Sequence, residues 1–289
     1  MIRNPPSVSI GVPVYNAMPY IKASLESLLS QDYVNYDLII SDNQSTDGTF
    51  EWVEQRVRND PRVRLIRQNT NIGGLANFNF VLSAAKGDYF MWAAGDDLWS
   101  PDWISSIMSR IALNPDSIGG FGIKTFIDAH DNPHPTPSRL DVALLETSNA
   151  YLRLWRYWCI PWIADDSIYN GIYKRDILNG HYAQPHFFTR YYTSASDSYC
   201  WYLVFCGPIV KAEGIMKYRI HDTSASGKKR PLHEEVIDIL NRIHFSERAL
   251  QKAGMPLLFR APFMLLFTLK QIAFAAYFGG RLALGLPRR

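Results

Sequence analysis

Between Ser7 and Ala94 four short apolar runs take turns with segments whose apolar residues recur at three- and four-residue spacing. The runs are Ser7–Val14, Tyr36–Ser41, Val63–Ile66 and Tyr89–Ala94. They are apolar and too short for helices, so they read as strands buried on both faces. Between them, Ile21, Leu25, Leu28 and Leu29 mark one helical face; Phe50, Val53 and Val57 mark a second, and Phe78, Val81, Leu82 and Ala85 a third. A β-α-β-α-β-α-β order demands parallel strands joined by right-handed crossovers. The expectation is an α/β fold with a mostly parallel sheet flanked by helices.

Polar chemistry gathers where the strands end. Tyr15-Asn16 closes the first, and Asp42-Asn43-Gln44-Ser45-Thr46-Asp47-Gly48 closes the second. The fourth climbs through Tyr89-Phe90-Met91-Trp92 and stops at Ala94-Gly95-Asp96-Asp97. Ligands of open α/β sheets sit at the carboxyl ends of the strands. Two adjacent carboxylates there repel each other unless a cation or strong donor lies between them, and a hard divalent cation shared with phosphate suits that need. A solvated strand-to-helix turn is the plainer alternative. No GxGxxG follows the first strand and no GxxxxGK[ST] occurs, which argues against a dinucleotide fold and a P-loop.

A net charge of +3 over 289 residues gives no basic footprint for nucleic acid. Cys159, Cys200 and Cys206 have neither zinc-type spacing nor an even count, so a reducing compartment is expected. Met1–Pro6 has no apolar core of a secretory signal.

The segments VSIGVPVYN, LIISDNQSTDGT, RLIRQNTNIGGLANFN and GDYFMWAAGDD, in that order, resemble the nucleotide-binding half of family 2 glycosyltransferases of GT-A fold. The resemblance covers about the first 110 residues. It implies a nucleotide-diphosphate sugar donor, a Mg²⁺ or Mn²⁺ ion and inverting transfer to an acceptor hydroxyl. By motif, Pro13, Tyr15, Asp42 and Asn43 would face the nucleoside, with Arg67 and Asn77 from the third segment. Asp96 would lie by the ribose and Asp97 would ligate the metal. Two departures stand out: the second acid after the second strand is Asn43, and the first acid of D-x-D-D is Ala94.

Further along, Ser100 reads as the cap of a helix carrying Ile104, Ile107, Met108 and Ile111. Ile118–Ile127 reads as a strand, residues 128–139 as a surface loop and 140–158 as a helix. Asp165-Asp166 lacks a preceding buried strand and reads as a turn or cap. Asp197 is expected to start a helix. An N-terminal helix acid is the ordinary role there, and the resemblance implies a general base, because Gly207–Val210 and Tyr218-Arg219-Ile220-His221 follow in the family's order. His221 would lie near the diphosphate or complete the metal shell. Residues 224–230 read as a basic loop and 232–251 as an amphipathic helix. Ala261–Gly280 is apolar but carries Lys270 near its middle, where a bilayer-spanning helix tolerates charge poorly. A helix lying on the membrane, anchored by Arg260, Arg281, Arg288 and Arg289, is expected, with a homodimer contact or a core helix as the alternative.

The expected organisation is a GT-A domain over 1–225 and a helical region over 226–289. The domain divides into a nucleotide-sugar-binding half, 1–112, and an acceptor half, 113–225. The expected activity is sugar transfer to a saccharide or lipid-linked saccharide at the inner, cytoplasmic face of the membrane. A nucleotidyltransferase, or a non-catalytic scaffold of the same fold, is the alternative.

Overall fold

The structure is a computed structural model that describes residues 5–135, 145–159, 168–182, 192–221 and 232–283. Strands β1 (Val8–Val14), β2 (Tyr36–Asp42), β3 (Val63–Arg67) and β4 (Tyr89–Trp92) alternate with helices α1 (Ile21–Leu29), α2 (Thr49–Val57) and α3 (Gly74–Ala84). A two-residue strand β5 (Leu98–Trp99) then leads to α4 (Trp103–Leu113) and β6 (Gly119–Ile127). Next come α5 (Ala150–Cys159), β7 (Ile172–Lys174), α6 (Arg175–Tyr182), α7 (Tyr192–Cys206) and β8 (Ile209–Arg219). The helices α8 (Leu232–Lys252) and α9 (Leu257–Ala283) complete the described chain.

The strands form one sheet in the order β3-β2-β1-β4-β7-β6-β8-β5. β1 pairs in parallel with β2 and β4, and β2 with β3. β7 runs antiparallel to both β4 and β6, and β6 is parallel to β8. Two reversals restore the direction, so β8 ends on the same sheet edge as β1, β2 and β4. This topology brings residues near 220 to the acids near 96.

Both faces of the sheet are covered, as the unbroken apolar runs require. Val8, Ile10, Val12, Leu38, Ile40 and Met91 point to one side, where α1, α2 and α4 pack. Ile39, Phe90 and Trp92 point to the other, against α3, α5, α6, α7, α8 and α9. This is the period-2 alternation of strands meeting helices on each side. Gly11 makes one close approach possible: a Cβ there would lie 2.6 Å from the Phe90 ring and 2.7 Å from Val81.

Three expectations shift. Helix α4 begins at Trp103, and the Ser100 hydroxyl is used elsewhere, 2.5 Å from Asp102 Oδ1 and accepting the Ile215 N–H at 2.9 Å. That contact ties the approach to α4 onto β8. The helix expected over 140–158 is α-helical only from Ala150; residues 140–144 lie outside the described residues. Asp197 does not start a helix, because α7 already begins at Tyr192.

Candidate active site

The carboxyl edge is built from the β1–α1 and β2–α2 turns. Asn43 N–H donates to the Val14 carbonyl at 2.9 Å, which keeps the two strand ends side by side. Asn16, at φ 49°, donates its N–H to Ser45 Oγ and accepts the Thr46 N–H on Oδ1. Ala17 and Met18 donate their N–H groups to Thr49 Oγ1 and Asp47 Oδ2. Burial raises the Asp47 carboxyl, but hydrogen bonds from Thr49 and Met18 outweigh that and hold its pKa below the ordinary value. The capping residues after the second strand thus lace one turn to the other. Tyr15 projects at the junction, 51% exposed.

Asp42 ends β2 and is wholly buried. Its Oδ1 accepts the Ser45 N–H at 3.1 Å and lies 3.7 Å from Arg67 Nε. Its Oδ2 is buried with no hydrogen-bond partner. A buried carboxylate oxygen without a donor is costly, so this atom marks a place where a donor from outside the chain would be stabilising. Arg67 is held by Glu51 at 3.3 Å and the Ser45 carbonyl at 3.2 Å, with its guanidinium 4.4 Å from the Phe50 ring centre.

Other expected donor contacts are spent inside the protein. Asn43 gives Nδ2 to Asn71 at 2.9 Å and takes the Ile72 N–H on Oδ1 at 2.8 Å. Asn77 accepts the Ser41 hydroxyl at 2.6 Å and donates Nδ2 to the Ser41 carbonyl at 2.9 Å. Both are 2% exposed. They fasten the 69–74 loop and α3 to β2. Pro13 is buried in β1, opposite Ser41.

The acidic turn separates its two carboxylates. Asp97 is 1% exposed, and its Oδ1 accepts the Arg219 N–H at 2.9 Å. Asp96 is the more open, its side chain 30% exposed, and its Oδ2 lies 2.9 Å from His221 Nε2. The expectation placed Asp97 with His221 on a metal and Asp96 on a ribose. In the structure His221 lies against Asp96, and Asp97 is seated on the end of β8.

Arg219 organises this corner, and the sequence reading overlooked it. Its guanidinium is buried and donates to the Asp96 carbonyl at 2.7 Å and the Asp128 carbonyl at 3.2 Å. It pairs with Asp131 at 2.6 Å and lies 4.9 Å from the Tyr20 ring centre. Tyr20 also packs on His221, ring centres 4.7 Å apart. The signal was present in Tyr218-Arg219-Ile220-His221, since an arginine two positions before a candidate site histidine shares its side of a strand. Asp197 lies in the second turn of α7, and its side chain is outside the described residues, as are Asp165-Asp166 and the 224–230 loop.

The donor set decides which metal could be held. Among the described residues no three His, Cys, Asp or Glu side chains converge as a cation cage. Asp96 and His221 offer one carboxylate and one imidazole. A Mg²⁺-like ion keeps several waters and takes oxygens from substrate phosphates, so one or two protein ligands suffice. The residues fit a cation shared with a diphosphate and not one held by protein alone.

A mostly parallel sheet with acids gathered at its carboxyl edge and helices on both faces is an α/β arrangement of the GT-A type. Residues 9–181 match the family described as Glycosyl transferase family 2, and the chain belongs to that family. WcaA of Escherichia coli strain K12, named for colanic acid biosynthesis, is 34% identical over 111 residues, 38% of this chain and 39% of its own length. A similar third of the length of other curated relatives is spanned, 35% in two of them. Among solved structures, Staphylococcus aureus TarS 1–349 in complex with UDP superposes with a TM-score of 0.62 at 17% identity, covering 91% of this chain and 70% of that one. The mannosyltransferase PcManGT from Pyrobaculum calidifontis, in complex with GDP-Man and Mn²⁺, gives 0.57 at 17% identity, covering 96% and 75%.

Proposed function

We propose that the chain is an inverting glycosyltransferase that moves a sugar from a nucleotide-diphosphate sugar to an acceptor hydroxyl. The observation that carries this is the pairing of Asp96 with His221 on the sheet edge that also bears the Asp42 carboxylate, whose Oδ2 has no hydrogen-bond partner. Asp42 accepts a hydrogen bond from the nucleoside, and Tyr15 offers an exposed ring for the base to lie against. Asp96 and His221 would hold Mg²⁺ or Mn²⁺, which would offset charge on the leaving diphosphate. Asp97, through the Arg219 N–H, keeps the acidic turn against β8. The Arg219 guanidinium fixes the Asp96 backbone, and the Tyr20 ring supports His221.

Asp197 takes the proton from the acceptor hydroxyl as its oxygen attacks the anomeric carbon. The bond to the diphosphate oxygen breaks as the new glycosidic bond forms, which inverts that carbon without a covalent enzyme intermediate. The relatives named for teichuronic acid and colanic acid biosynthesis support a saccharide or lipid-linked saccharide acceptor; a peripheral place at the inner face of the cytoplasmic membrane is part of the same proposal.

Calorimetry of nucleotide sugars with and without Mn²⁺, followed by a transfer assay on the donor that binds, tests the reading. Metal-dependent binding with turnover is expected. Binding without turnover on any acceptor would favour a scaffold, and no binding at all would end the proposal.

A further inference from the structure

Helix α9 is apolar on two opposite sides. One packs inward, with Met264 and Phe267 buried and the Phe263 and Phe267 ring centres 5.3 and 5.4 Å from Trp201 of α7. On the other side Leu258, Leu265, Leu269 and Ile272 are 79, 62, 54 and 56% exposed. At 100° per residue these four fall on one stripe. On its flank Phe259 reaches Tyr151 of α5, ring centres 4.9 Å apart, and the patch continues to Trp155, 55% exposed. A helix apolar all round is ordinarily buried, and a contiguous outward patch marks an interaction site.

Charge selects the occupant. No Asp or Glu follows Glu247, whereas Arg248, Lys252, Arg260, Lys270, Arg281, Arg288 and Arg289 do. An anionic bilayer surface supplies the missing negative charge together with an apolar layer. Exposed Tyr and Trp rings suit the headgroup level. No described helix is long and apolar enough to cross a membrane, so α9 would lie in the interface plane. Arg260 is not one of the anchors expected from the sequence: it is 9% exposed, donates to the Met255 carbonyl at 3.1 Å and lies 3.8 Å from Glu247. It pins the α8–α9 turn instead.

We propose that the outward face of α9, extended by Tyr151 and Trp155 of α5, docks on an anionic lipid bilayer. The proposal rests on the peripheral setting above for its location only, and its test reads membrane binding apart from sugar transfer. The full chain is floated with vesicles of phosphatidylcholine alone and of phosphatidylcholine with phosphatidylglycerol. Wild type should float with the anionic vesicles and much less with the neutral ones. Leu265→Glu and Leu269→Glu should each cut partitioning about tenfold or more, with melting by circular dichroism unchanged because both sites are exposed. Leu258→Glu, near the start of the helix, serves if either variant melts early. Wild type that ignores anionic vesicles, or variants that bind as well as wild type, would overturn the proposal. So would a wild-type dimer in light scattering that Leu265→Glu dissociates, which would assign the face to a second copy.

Discussion

Replacing Asp97 with alanine separates two roles for the acidic turn. Asp97 Oδ1 accepts the Arg219 N–H at 2.9 Å, and both residues are about 98–99% buried, being 1% and 2% exposed. Alanine removes a charge-assisted hydrogen bond and leaves a buried N–H without that acceptor. Such a loss costs roughly 2–3 kcal/mol. Urea unfolding should show that decrease with an unchanged slope, since the exposed surface of unfolding is the same. Asp97→Asn keeps an oxygen for the N–H and should recover much of the stability. Asp96→Asn should leave stability near wild type, because Asp96 is partly open, yet remove the Mn²⁺-dependent part of nucleoside diphosphate binding in calorimetry. The reasoning is refuted if Asp97→Ala is as stable as wild type and loses the metal-dependent binding while Asp96→Asn keeps it. Asp97 would then be the metal ligand, as the motif alone suggested.

Asp42→Asn should weaken nucleoside diphosphate binding by about 10–100-fold, the worth of one hydrogen bond to a charged acceptor, read by calorimetry with the melting temperature as a control. Asp197→Asn should lower kcat by about 10²–10⁴-fold with donor affinity near normal; activity within a few-fold of wild type would move the base elsewhere. Asp47 has a depressed carboxyl in the folded protein, so its contribution is present above the unfolded pKa and is lost as pH falls through the folded one. Asp47→Asn should therefore be less stable than wild type at neutral pH, and the gap in melting temperature should close in acid; a gap independent of pH would contradict this.

Much of the architecture is written in local periodicity. The unbroken apolar runs and 3.6-residue patterns from Ser7 to Ala94 place β1, β2, β3 and β4 and the three helices between them, because a strand buried on both faces and a helix buried on one cannot share a pattern. The acidic turn is legible for the same reason: a buried strand that stops at Gly95-Asp96-Asp97 delivers carboxylates to the sheet edge. The division of labour between Asp96 and Asp97 is not legible. The two are neighbours of the same type, and only contact with Arg219 and His221, more than 120 residues away, gives them different surroundings. That contact exists because β7 reverses the sheet and β6 and β8 restore its direction, a pairing set by tertiary packing. Asn43 and Asn77 show the same limit. An amide's residue type says that it will hydrogen-bond, but whether it bonds a ligand or its own backbone depends on what folding places within 3 Å. The outward side of α9 also escapes the pattern, since a helix apolar on two sides has no preferred face until α7 covers one of them.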